Sequence, residues 1–138
     1  MNTHHKQTDT SNIRGAAVVE LAVVLPLLLT IVFGIIEFGW IFMVRETLTN
    51  ASREGCRVAM LQGSTQQNVR DQVAASMAGP GLTNYTVAIT RSTPGNPTEK
   101  VVVKIPYAQV SLLKGYFFGG STNFNLAATT VMRKEGTN

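Results

Sequence analysis

From Ala16 to Val44 the chain is apolar almost throughout, with Glu20 and Glu37 as its only charged residues. Wound as a helix, such a run reaches roughly 44 Å, more than the ~30 Å hydrocarbon core of a bilayer requires. Leu21–Ile36 is uncharged and forms the centre of a span, and Trp40 suits the far interface, where an amphipathic ring is favoured. Pro26 would disrupt a soluble helix by about 3 kcal/mol, but membrane helices tolerate proline where neighbours satisfy the freed carbonyl. A cleaved secretory leader has a shorter apolar region followed by a small-x-small site, whereas this block runs on to Arg45-Glu46. The reading is a single transmembrane helix over 16–44, with residues 45–138 left to build one small domain.

Composition narrows the function. The net charge is +4, but the basic residues are spread from Lys6 to Lys134 with no basic stripe interleaved with aromatics, so no nucleic-acid partner is expected. Cys56 is the sole cysteine, which excludes an intrachain disulfide, and without a histidine partner it reads as a small buried residue. The two histidines, His4 and His5, both precede the apolar run, so nothing beyond it can form a Ser/His/Asp triad, a Cys/His pair or a His-ligated metal site. There is no P-loop and no dinucleotide fingerprint. The expectation is a protein that is not an enzyme, with no cofactor, no metal and no small-molecule substrate.

The outer domain reads as α+β. Ile41, Val44, Leu48, Ala51, Gly55, Val58 and Leu61 keep a three-or-four spacing, so the long helix is predicted to continue beyond the membrane until Gly63. A second helix is predicted over Gln66–Ala78 from Val69, Val73 and Met77, with Ser64 and Gln67 as its capping box and Gly79-Pro80-Gly81 as its stop. The period then changes to two: Tyr85, Val87 and Ile89 form one strand, and Val101, Val103, Ile105 and Tyr107 form an antiparallel partner beyond the 92–98 loop. A looser stretch contains Tyr116-Phe117-Phe118, either an adhesive or subunit-contacting tip or, as such clusters more often are, a loop packed against the core. A last strand over about Phe124–Met132 precedes a charged tail. Three antiparallel strands against the outer part of the long helix make a small α+β domain.

The front of the chain is distinctive. Met1–Gly15 is polar and ends in Arg14-Gly15, directly followed by Ala16-Ala17-Val18-Val19-Glu20. This resembles a prepilin leader. The run Arg14-Gly15-Ala16-Ala17-Val18-Val19-Glu20-Leu21-Ala22, with Leu25-Pro26-Leu27-Leu28, resembles the opening of TadE-like proteins, the minor pilins or pseudopilins of tight-adherence (Flp-type) pilus systems. Ala51-Ser52-Arg53-Glu54-Gly55-Cys56-Arg57-Val58-Ala59 is similar to the Ala-x-Arg-Glu-x-x-Arg-x-Ala pattern those proteins commonly carry. The resemblance rests on roughly residues 14–60.

The resemblance implies that a prepilin peptidase removes residues 1–15, cutting between Gly15 and Ala16 so that Glu20 becomes the fifth residue of the mature chain. A carboxylate at a bilayer centre costs about 2.5–3.5 kcal/mol, and the new α-amino group of Ala16, in the same subunit or its neighbour, is its natural partner. It further implies a bacterial inner-membrane protein with a cytoplasmic N-terminus, partnered by other pilins and the pilus assembly machinery. Basic residues alone favour the opposite orientation, with Lys6 and Arg14 on one flank against Arg45, Arg53 and Arg57 on the other; the cytoplasmic cleavage site decides it. Arg53, Glu54 and Arg57 are either a subunit-contact motif or a solvated helix face with ion pairs. Glu37, near the outer interface, is expected to find water. Leu21 replaces the tyrosine common in Flp-type major pilins, and the chain is longer than theirs. Type II secretion pseudopilins usually have phenylalanine where this chain has Ala16. The alternative of a different class is an uncleaved, single-span anchored binding module.

Overall fold

The computed structural model describes residues 10–114, 116 and 123–134, with side chains described from Gly15 onward. His4 and His5 of the leader, Phe117-Phe118 of the aromatic cluster and the end of the charged tail lie outside the described residues. The chain forms two compact units, one ending at Ile36 and the other beginning at Glu37.

Helix α1 spans Thr10–Ala59. In its first part, every residue from Gly15 to Phe33 is exposed, the reverse of an apolar helix that serves as the core of a soluble fold. Among the described residues α1 is the one helix long and apolar enough to cross a membrane, the length and composition of a single-pass anchor. Pro26 lies inside it, and the Thr30 hydroxyl donates to the Pro26 carbonyl at 2.8 Å. That is the ordinary back-bond of a helical threonine; the carbonyl that Pro26 leaves without its helical donor is that of Ala22, one turn earlier.

In the second unit α1 turns one face inward. Val44, Leu48, Ala51, Ser52, Gly55, Cys56 and Ala59 are buried on it. Leu61, expected on this stripe, is exposed because the helix ends at Ala59 and the chain turns through Gly63 at φ +75°. Helix α2 spans Gln66–Ala78 and buries Val69, Val73 and Met77. Its cap corrects the sequence reading by one residue: Thr65 is the N-cap and Asn68 completes the box. Thr65 has the extended backbone a cap needs, its hydroxyl accepts from Asn68 N at 3.2 Å, and Asn68 Oδ1 accepts from Thr65 N at 3.1 Å. Gln67 instead donates to Asp71 one turn on, and Ser64 is engaged by Arg91. At the other end Gly81 supplies the left-handed residue, at φ +69°, and its N–H returns to the Ala78 carbonyl at 3.0 Å.

Strands β1 (Thr86–Thr90), β2 (Thr98–Pro106) and β3 (Asn125–Arg133) form one antiparallel sheet in the order β1-β2-β3. In register, Ile89, Val101 and Thr130 form one cross-strand row, and Val87, Val103 and Ala128 the next. Those residues join Ile105, Leu126 and Met132 in or against the core, while Thr86, Ala88, Lys100, Lys104, Ala127 and Thr129 are exposed. Tyr107 was expected to extend the second strand; it opens a short helix instead, α3 (Tyr107–Val110). Pro106, with no N–H to donate, closes the ladder there. Tyr107 then stacks on Phe124, with ring centroids 4.3 Å apart.

Gly55 shows how closely the layers meet. A Cβ built there would lie 2.7 Å from Val73 Cγ2, 3.4 Å from Val101 Cγ1 and 3.5 Å from Val69 Cγ1. At this point α1 has room for no side chain between α2 and β2.

Candidate functional site

Three groups of residues are candidates for function, and all involve α1. The first comprises Gly15, Ala16 and Glu20. All three are helical and exposed, and a Cβ added at Gly15 would meet nothing within 4 Å.

The second group is the 51–59 run, which divides by face. Its small residues Ala51, Ser52, Gly55, Cys56 and Ala59 are buried, while Arg53 and Arg57 are exposed and Glu54 half-exposed. The Ser52 hydroxyl lies 2.7 Å from that of Thr130 on β3, and the Cys56 thiol donates to the Glu99 carbonyl at 3.4 Å on β2. Burial pushes the Cys56 thiol above its ordinary pKa of 9.0, opposed by a backbone hydrogen bond at Met132 and reinforced by the nearby Glu99 charge. Arg57 donates to Glu54 Oε2 through Nη2 at 2.8 Å and Nε at 3.0 Å, an exposed pair one turn apart. The small residues answer to packing. The charges face away from the core.

The third group was not legible in the sequence. Glu37, expected to reach water, is 1 % exposed. Its Oε1 accepts from Tyr107 Oη at 3.0 Å and Ser111 Oγ at 2.6 Å, and its Oε2 accepts from the backbone N–H groups of Leu112 at 3.0 Å and Leu113 at 3.2 Å. The reason for the correction is physical: a carboxyl group sealed from solvent requires donors, and here the protein supplies four. Trp40 adds a fifth tie to the same segment, its indole N–H donating to the Val110 carbonyl at 2.7 Å. Burial, foremost, holds the Tyr107 hydroxyl above its ordinary pKa of 10.0; hydrogen bonding from Ser111 opposes this, and hydrogen bonding and the charge at Glu37 reinforce it. The only sequence signal for this cluster is an acidic residue beside an uncharged span, since its partners lie 70–76 residues away.

Glu99 is a second buried acid the sequence reading did not single out. It is 1 % exposed and accepts from Ser92 Oγ at 3.0 Å, while its Oε2 takes no hydrogen bond and lies 3.7 Å from Arg91 Nε. Arg91 meanwhile donates to the Ser64 carbonyl at 2.8 Å, so one guanidinium connects the α1–α2 turn to the start of β2. Among the described residues no group of three or more His, Cys, Asp or Glu side chains is arranged to hold a metal.

An exposed apolar helix whose outer part forms one wall of a small α+β domain defines a membrane-anchored, single-helix class of protein. Within that class, residues 15–57 match the family model described as TadE-like protein. Over that segment the chain is similar to TadE-like proteins. The match begins at Gly15 and ends at Arg57, covering Gly15, Ala16, Glu20 and Glu37 and the 51–59 run as far as Arg57. No curated protein and no solved structure matches the chain.

Proposed function

We propose that this protein is a minor pilin or pseudopilin of a tight-adherence type IV pilus, processed by a prepilin peptidase between Gly15 and Ala16. The observation that carries the reading is the family match beginning at Gly15, five residues before a glutamate in an apolar helix. Residues 1–15 are the cytoplasmic leader, 16–44 the inner-membrane span and 45–138 the domain displayed beyond it. Peptidases act on extended backbone, so the helix has to open locally at the bond that is cut. Glycine favours that opening, being about 1 kcal/mol poorer than alanine in a helix. Glu20, fifth in the mature chain, pairs with the new α-amino group of Ala16 in its own or a neighbouring subunit. The helix carries the subunit into or onto the filament through contacts with other pilins, and Arg53, Glu54 and Arg57 are the candidate contact residues.

The test is the N-terminal residue of the membrane-extracted protein, read by intact mass and terminal peptide mapping in cells with an active prepilin peptidase. The expected mature chain starts at Ala16, and a Gly15→Arg substitution abolishes that product. A full-length N-terminus under the same conditions rejects the pilin reading and leaves an uncleaved anchored module.

A further inference from the structure

We propose that β3 is a docking edge at which a second copy of this chain adds its own β3 antiparallel, joining two sheets into one. This pairing involves only the unit from Glu37 onward and does not require cleavage at Gly15.

An edge strand carries a row of N–H and C=O groups that point away from its sheet, a template for another strand. Stable folds blunt such an edge with short length, lysine, proline or a bulge. β3 has little of this protection. It runs for nine residues, Asn125–Arg133, in unbroken register with β2, so no bulge interrupts it. It contains no proline, and its one charged residue is the terminal Arg133. Among the described residues no backbone segment other than β2 bonds along it. The opposite edge differs: β1 is five residues long, and the charged Arg70 and Asp71 of α2 flank its start.

The side chains of β3 select a second β3 as the occupant. Leu126, Ala128, Thr130 and Met132 are turned to the core side, and the odd-numbered residues between them are exposed. A one-residue slip would set core-side residues opposite exposed ones, so even positions have to meet even positions. Among such antiparallel registers, the two-fold centred on Thr129 is the one that pairs the whole strand. Leu126 then lies beside Met132 of the second copy, and Ala128 beside its Thr130, which continues the buried face. On the exposed face Ala127 lies beside Val131, which is 54 % exposed in the single copy. Thr129 meets its own counterpart, a pairing that adjacent strands favour. Arg133 falls opposite Asn125, so no like charges oppose one another across the strands. The pairing makes about eight to ten backbone hydrogen bonds, as many as a specific interface carries.

The test uses the whole chain in the membranes of cells expressing it, with two copies carrying different tags. Under mild oxidation Thr129→Cys is expected to form a disulfide-linked dimer. Lys100→Cys, exposed on the middle strand, forms none, and neither does the native chain, whose Cys56 is buried. Thr129→Lys alone, or Thr129→Glu alone, sets like charges directly opposite and lowers co-isolation of the two tagged copies by about five-fold. One copy of each restores it, and that recovery separates a lost interface from a failure to fold. Native-level co-isolation of two Thr129→Lys copies overturns the inference, as does a Lys–Glu combination that fails to recover. Native copies that never co-isolate overturn it too. Thr129→Cys that links to Ala88→Cys rather than to itself would mean that β3 docks on the β1 edge of the next copy, and the two-fold pairing falls.

Discussion

Two oxygens of Glu37 serve four donors, and this arrangement is intolerant of an amide. In Glu37→Gln the NH₂ faces one of two pairs: the Leu112 and Leu113 N–H groups, which can only donate and so oppose it, or the Tyr107 and Ser111 hydroxyls, which can accept from it but lose the oxygen they donate to. Backbone N–H groups cannot rotate away, so the amide oxygen takes that pair and the hydroxyls lose their acceptor. Hydrogen bonds to charged groups are worth about 1.5–3 kcal/mol each, so a loss on the order of 3 kcal/mol is expected. Thermal unfolding of full-length protein in nanodiscs, followed by Trp40 emission, reads it as a lowered Tm; an unchanged Tm would show that the four bonds do not hold the fold. Gly55 gives a second residue-scale prediction. Gly55→Ala gains about 1 kcal/mol of helix propensity, but its Cβ meets Val73 Cγ2 at 2.7 Å, and a buried β-branched side chain has little room to yield. Overpacking of about 1–3 kcal/mol outweighs the gain, and Tm falls. Gly79→Ala, at φ −54° with nothing within 4 Å, leaves Tm unchanged or slightly higher.

At the scale of elements, the part of α1 from Val44 to Ala59 presents two faces of different chemistry. Its inward face is small residues packed on β2, β3 and α2, and its outward face carries Arg53, Glu54 and Arg57. Because the Glu54–Arg57 pair is exposed, it contributes a few tenths of a kcal/mol at most. Replacing Arg53 and Arg57 with glutamine is therefore expected to leave Tm within about 1 °C, since exposed substitutions stay within about 0.5 kcal/mol. If the outward face is a contact motif, the same variant abolishes pilus assembly, scored by sheared filaments, while protein level and membrane insertion hold. Assembly at the normal level would make it a solvated face. Much of the element order was legible. The change from a three-or-four period to a period of two placed α2 and all three strands, because each has one buried face. The turn into α3 was not, since Tyr107 continues the apolar alternation of β2, while its ring stacks on Phe124 and its hydroxyl bonds Glu37, both distant in sequence. The Glu37 cluster was hidden for a related reason: local spacing cannot report partners more than 70 residues away, and an acid beside a span looks the same whether water or protein solvates it.

Taken as a whole molecule, the domain closes without a covalent tie, so its stability rests on packing and on keeping two buried groups neutral. Cys56 is buried where α1 meets β2, and Tyr107 lies where α3 meets Glu37. Both have folded-state pKa values raised chiefly by burial. A raised pKa means that the fold favours the protonated form. The contribution is thus fully present below the unfolded values, near the ordinary 9.0 for the thiol and 10.0 for the phenol, and is lost as pH rises through the folded values. Stability should accordingly be insensitive to these groups between pH 6 and 8 and decline above about 9, the thiol's arm of the decline coming first. Cys56→Ala removes that arm and moves the onset of the decline upward, at the expense of a small cavity. Thiol modification supplies an independent reading of the same core. With Cys56 fully buried, labelling proceeds through opening of the domain, so its rate at neutral pH should follow the unfolding equilibrium across a denaturant series. Rapid labelling of the native protein, or an alkaline profile that Cys56→Ala leaves unmoved, would place the thiol outside the core that these contacts define.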